Sequence, residues 1–496
     1  MLRSSGRIIT VAILVFWGIM AGILLYREVW LPRQLSPALT TPITEPRDMW
    51  MGIYAADQER VGFINMRMLP TMKNGESGVR LYLTTRISVS MLGMPAQLGL
   101  NGEAWMHNQR GIESFHLNME SGDHHTRIEG EVVNGTLKAE MHVAGEVVPF
   151  SWPVGDGLQL SGGLNMPSLN MPLLEPGQEV QVQTFDPATM QLGTARLRHA
   201  GEETLEIEGE IFETVIVETT MSGMTTRAWV TRDEEVIQAE TPFGLWLRII
   251  SPTEALAPYD PSDRPSFVEQ LAVRVTGDLP EQEVDELRVR ISGVDEALYP
   301  PADGRLQIRE SENVFRFVRS APPGAIPPEP LDEEEALARY LADDAFIPAQ
   351  HERIREAARD IIGDREDPWE RALALYEWAY ENIDKVPVIS VPVALDVLRT
   401  LEGDCNEHAV LYTALARAVD IPTRIAIGLV WSDAIGGFGY HAWPEVHVGH
   451  WIPMDPTLGE PIAGATHIKL LNGSIDQWVQ LVPYLGQLEL EVLSYE

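Results

Sequence analysis

The sequence predicts an α+β protein: one N-terminal transmembrane helix, a largely antiparallel β region over 48–262, and a C-terminal domain over 333–496 in which helices precede paired strands. Three observations carry this reading. Ile8–Tyr26 (IITVAILVFWGIMAGILLY) is an uncharged apolar run long enough to cross a bilayer once. From Asp48 to about Thr253, apolar and polar residues alternate in runs broken by Asn-Gly pairs, the pattern of hairpins. Beyond the proline-rich stretch 321–332 the apolar period becomes that of amphipathic helices.

Residues 1–7 form a short cytoplasmic head and 8–26 the anchor. A cleaved signal peptide has a shorter apolar run with a small-residue cleavage site close behind it. Here Arg27-Glu28-Val29-Trp30 follows directly, so the anchor is expected to stay. Arg3 and Arg7 before it and Arg27 and Arg33 after it barely discriminate an orientation. With so short a basic head, the bulk is expected outside the cytoplasm, on the periplasmic side of the inner membrane in a Gram-negative cell.

Residues 27–47 are a proline-rich linker. In the β region, Asn101-Gly102 and Asn134-Gly135 read as hairpin turns. Tyr54, Val61, Gly62 and Arg67 match Phe185, Leu192, Gly193 and Arg198 at equal spacing, and Ala104-Trp105 with Ile112 matches Ala228-Trp229 with Val236. Either two similar units lie over 48–160 and 175–255, or β patterns agree by chance. His124-His125 read as solvated residues and the many methionines as core. Residues 263–320 are a further small β segment, and 321–332 (APPGAIPPEPLD) a linker. Helices are expected at Glu333–Leu341, Gln350–Ile362 and Trp369–Ile383.

The net charge of −36, from 37 basic against 73 acidic residues, argues against a nucleic-acid partner, because phosphate binding needs a basic surface. Cys405 is the only cysteine, so no internal disulfide is possible. It stands in LEGDCNEHAVLYTAL, directly after an N-cap candidate, Asp404. The helix is expected to end near Val419-Asp420; Cys405, Ala409, Tyr412, Ala416 and Val419 form its apolar stripe. A thiol in the first turn meets unpaired N–H groups, which lower its pKa and favour a reactive thiolate. Downstream, His441, Trp443, Glu445 and His447 alternate with Ala442, Pro444 and Val446, as in a strand, and a turn leads to Trp451–Asp455. Cysteine, histidine and aspartate make a nucleophile, a base and an orienting group.

Taken in order, Gly403-Asp404-Cys405, Ile421-Pro422-Thr423-Arg424, His441-Ala442-Trp443 with Glu445, and Asp455-Pro456-Thr457 resemble the bacterial transglutaminase-like superfamily over roughly 335–496. The resemblance implies a papain-like core in which Cys405 is the nucleophile, His441 the general base and Asp455 the orienting carboxylate, with no cofactor. It also implies a membrane-anchored thiol acyltransferase or amidase/peptidase, acting on a protein or peptide through a carboxamide or peptide bond. Pro444 departs from the pattern; having no N–H, it places its strand at an edge or in a bulge.

Two other readings compete. One is a non-catalytic binding or assembly module of the cell envelope that keeps the fold. The other is a metal site of Cys405, His408, His447 and His450, with His408 otherwise an ordinary solvent-side residue. The triad also makes a demand on register, since side chains alternate face. A two-residue turn at Gly449-His450 would put Asp455 on the wrong face. A three-residue loop, Val448-Gly449-His450, pairs His447 with Trp451 and brings Asp455 to the face of His441. The expectation is that loop or a bulge at Pro444.

Overall fold

The structure is a computed structural model that describes residues 43–496, apart from 56–58, 92–93, 162–172, 188–189, 208, 222–223, 242–243, 259–271, 278–283, 326–336, 434, 474–479 and 482–483. The anchor Ile8–Tyr26, most of the linker after it and part of the expected helix Glu333–Leu341 lie outside the described residues. Among the described residues no helix is long and apolar enough to cross a membrane.

Fifteen strands between Arg47 and Ile249 form one sheet. Its first strand, Arg47–Tyr54, pairs with its last, Trp246–Ile249, and the others run outward from this pair in two wings. Alternation drives the strands: Leu137, Ala139, Met141 and Val143 are buried and their neighbours are not. Asn134-Gly135 turns with both residues at positive φ between paired Val133 and Thr136.

Asn101-Gly102, by contrast, is not a turn. It sits inside the strand Met94–His107, paired on both sides, where any Cβ at 102 would come within 2.9 Å of Leu117. Tertiary pairing overrides the local preference there, and Asn74-Gly75 makes the turn instead.

The residues paired by spacing occupy equivalent places. Tyr54 and Phe185 lie at the ends of Arg47–Tyr54 and Glu179–Asp186, each followed by a long strand and three more in antiparallel order. Trp105 and Trp229 each stand at a β-bulge. The wings also meet face to face, with Phe185 against Phe115 (5.5 Å) and Trp152 (5.2 Å).

The stretch after this sheet does not stand apart from the C-terminal domain. Arg274–Gly277, Glu286–Ser292, Gln307–Arg309 and Val314–Val318 form a sheet with Glu489–Tyr495, which lies between the first two. The boundary expected at 321–332 is therefore crossed by a strand that linear order conceals.

In the C-terminal domain the helix Cys405–Ala418 is buried against Glu352–Ile362, Pro368–Asn382, Ala394–Thr400 and a four-stranded sheet ordered Trp451–Pro453, Gly437–His447, Thr423–Ser432, Ile468–Asn472. Even its charged Arg417 is covered and donates to the carbonyls of Thr423 and Ala342.

The large sheet docks on this domain through its hairpin ends. His124, expected in solvent, is buried there, with Nδ1 2.8 Å from Asp396, which Arg399 also holds. Ser121 accepts the Ile389 N–H, and Arg353 reaches the Ala144 carbonyl.

Candidate active site

Cys405 opens its helix because the residues before it leave no other arrangement. Leu401 ends the preceding helix in the left-handed conformation. Gly403 follows at φ +155°, and a Cβ there would lie 2.2 Å from the Glu407 side chain, so only glycine fits. The Asp404 carboxylate then accepts the Asn406 N–H, and Glu407 reaches back to the Asp404 N–H, a complete capping box.

The thiol is half-buried, and its sulfur receives the backbone N–H of Ala442, next to His441. The expected depression of its pKa is overturned. Burial, and then the carboxylates of Asp404, Glu407 and Asp455, push the thiol well above its ordinary range, and the Ala442 N–H offsets only part of this. The first-turn advantage is outweighed by burial first and by the acidic neighbours second. Glu407 is pushed up as well, by burial and by the charge of Asp404.

The strand and loop place His441 and Asp455 as the register argument requires. His447 pairs with Trp451, Val446 with Ile452 and Glu445 with Pro453, around a three-residue loop whose Gly449 has φ +97°. Continued, this register sets Asp455 opposite Trp443 and diagonal to His441. His441 Nε2 lies 2.7 Å from Asp455 Oδ2, leaving Nδ1 as the nitrogen available to a thiol.

Pro444 is neither bulged nor on an edge strand: it pairs with Ile425 in regular register. Its carbonyl accepts the Met454 N–H, so its missing N–H falls on that same side, just past the end of Trp451–Pro453; only the reciprocal bond to Met454 is forgone, and the pairing with Thr423–Ser432 is intact.

Asp455 is fully buried. Oδ1 accepts the N–H groups of Thr457 and Leu458, and Oδ2 accepts from both His441 and His467, the latter at 2.9 Å. Burial alone would raise its pKa, but the two imidazoles outweigh burial and hold it well below the carboxylate range.

His467 was not among the residues singled out from sequence. It precedes the short strand Ile468–Asn472, and neither period nor motif links it to the triad. Trp443 packs against both rings, roughly parallel to His441 at 6.0 Å and edge-on to His467 at 5.0 Å. One step along the same face, Glu445 is buried with Lys469 (2.9 Å) and Arg424 (2.6 Å), whose charges outweigh burial and keep it ionised. Behind Trp443 and His467 a cavity of about 20 Å³ holds at most one water, too small for a substrate.

The structure does not assemble the alternative metal set. His408 is fully buried and bonds the Asp404 carbonyl, His447 packs on Trp451, and His450 faces the Ala321 carbonyl. His441, Asp455 and His467 do converge. Their 2.7 and 2.9 Å separations are those of N–H···O bonds, whereas two ligands of one zinc ion stand about 3.3 Å apart.

Residues 355–456 match the model of the transglutaminase-like superfamily, at family level a group of cysteine-dependent hydrolases and transferases. No curated protein matches the chain. Among solved structures, a proposed cysteine protease from Cytophaga hutchinsonii is 15% identical, over 42% of this chain and 83% of its own, with a TM-score of 0.28. A proposed protease from Parabacteroides distasonis is 12% identical, over 67% of this chain and 64% of its own, with a TM-score of 0.20.

Proposed function

We propose that this chain is a membrane-anchored cysteine acyltransferase or amidase/peptidase of transglutaminase-like type, with Cys405 as nucleophile, His441 as base and Asp455 as orienting group. The observation that carries the reading is the 2.7 Å bond between His441 and a buried carboxylate, on the strand whose next residue contacts the Cys405 sulfur.

Because burial and then its acidic neighbours hold the resting thiol protonated, activation falls to His441 acting as general base. Nδ1 takes the thiol proton as sulfur attacks the carboxamide carbon. The backbone N–H of Cys405, in the first helical turn without an intrahelical partner, supports the oxyanion. His441 returns the proton to the leaving amine, and a second amine or water resolves the thioester. Asp455 offsets the imidazolium charge during both transfers. The apolar run Ile8–Tyr26 holds the molecule to the membrane with its bulk outside the cytoplasm.

The test is incorporation of a labelled primary amine into a glutaminyl peptide, with release of ammonia or cleavage in its absence. Wild type is compared with Cys405→Ala. Turnover lost in the variant supports the reading; equal turnover, or none in wild type across amide donors, favours a binding module that keeps the fold.

A further inference from the structure

We infer that His467 is a positioning residue that shares the Asp455 carboxylate with His441 and thereby sets the basicity of that imidazole. The inference rests on the triad reading above.

Four N–H groups fill the acceptor sites of Asp455: Thr457 and Leu458 on Oδ1, His441 and His467 on Oδ2. The His467 side chain is only 2% exposed. Its Nδ1 has no hydrogen-bond partner and stands 4.0 Å from Glu460 Oε2, which is already engaged by the Gly464 N–H at 2.6 Å. The hydrogen bond that His467 makes is therefore through Nε2, which must carry its proton toward a carboxylate. A space-filling apolar residue would avoid the cost of burying the other nitrogen unsatisfied.

The chemical effect follows from two donors meeting one oxygen. Each divides the negative charge that the other feels, so Asp455 stabilises a His441 imidazolium less than an unshared carboxylate would. An imidazolium held less tightly returns its proton to a leaving amine more readily. The second bond also stops the carboxylate from turning, which keeps Nε2 of His441 engaged and Nδ1 directed at the thiol.

Other charged and titratable groups around the pair are Glu460 with Arg319 at 3.9 Å, and Tyr376, His408 and the Glu445–Lys469 pair. None of these residues is itself altered when position 467 alone is changed.

The experiment is an NMR titration of the His441 ring in Cys405→Ala protein, its signal assigned by loss in His441→Gln. Removing the donor in His467→Ala should raise the His441 pKa by about 0.5–1 unit, since a carboxylate with one fewer hydrogen bond attracts the imidazolium proton more strongly. His467→Gln, whose amide can still donate to Oδ2, should hold the wild-type value. His467→Phe fills the space without a donor and replaces His467→Ala if the latter unfolds.

An unshifted or lowered value in the donor-free variants overturns the inference. So does an equal shift in His467→Gln, which would trace the effect to packing. Iodoacetamide alkylation of Cys405 in wild type and His441→Ala separates the two levels. If His441→Ala leaves the rate unchanged, the triad reading fails along with this one. If it slows the rate while the titration is unshifted, only the role of His467 fails.

Discussion

Asp455→Asn tests the orienting role most sharply, because it keeps the side chain's shape and removes only its charge. The carboxylate now accepts two backbone N–H groups on one oxygen and two imidazole N–H groups on the other. An amide presents one acceptor and one donor end. If its oxygen stays with Thr457 and Leu458, its NH2 meets two Nε2–H groups; if it flips, the NH2 meets the backbone pair. Relief is possible only in the first orientation, where both imidazoles move their proton to Nδ1 and accept from the amide. At the imidazole pair alone, two hydrogen bonds to a charged group, about 1.5–3 kcal/mol each, are then exchanged for neutral ones of about 0.5–1.5 kcal/mol, a stability loss of about 2–3 kcal/mol from that pair. The rate loss is larger, because His441 now carries a proton on the nitrogen that must receive one from Cys405. A wrong tautomer of this kind lowers turnover by roughly 10⁴-fold. Thermal melts and the amine-incorporation assay should show a folded protein with almost no turnover. A folded variant within tenfold of wild type would refute the assignment of Asp455.

The other expectations concern folding and pH. A fragment spanning 332–496 should aggregate, because Leu490 and Val492, both buried, lose their sheet; burying such side chains stabilises by about 1.5–3 kcal/mol each. A fragment from about 272 should melt cooperatively, and folding of the shorter one would refute the shared sheet. Cys405 in native protein should alkylate more slowly at pH 7 than a model thiol and gain rate as the pH rises above the ordinary thiol range; fast reaction at pH 6 would point to a thiolate at rest. Asp455 and Glu445 are both held below the usual carboxylate range, so their contribution is complete above an unfolded pKa of about 4 and fades as the pH falls below it. Melting temperatures should drop through that acid window, and less steeply in Asp455→Asn; identical acid slopes would argue against Asp455 as a source.

The placement of Cys405, His441 and Asp455 near one another was legible because each position depends on short-range rules. A capping box starts one helix, strict alternation orients one strand, and a three-residue loop sets the register between His447 and Trp451. What escaped depends on chain far away. His467 reaches Asp455 only after a turn whose path no periodicity encodes. His124 looked solvated until Asp396, on a helix of another domain, closed over it. Asn101-Gly102 carries the local chemistry of a turn, yet two flanking strands pair straight through it. The thiol pKa was misjudged for a related reason: the helix start was visible, but the burial of the sulfur and, after it, the nearness of Asp404, Glu407 and Asp455 required positions in space.

The strand Glu489–Tyr495 gives the molecule a clock. Its neighbours Arg274–Gly277 and Glu286–Ser292 leave the ribosome long before it does, as does Val314–Val318 on the far side of Glu286–Ser292. At about 5–20 residues per second, the interval from Val318 to Glu489 lasts roughly 10–35 s. Through that time the half-built sheet offers open edges, and before it ends Cys405, His441 and Asp455 have all been made. The proposed nucleophile therefore exists before the scaffold around it is closed, and a nascent chain stalled between residues 455 and 489 would carry all three proposed reacting groups in an unfinished frame.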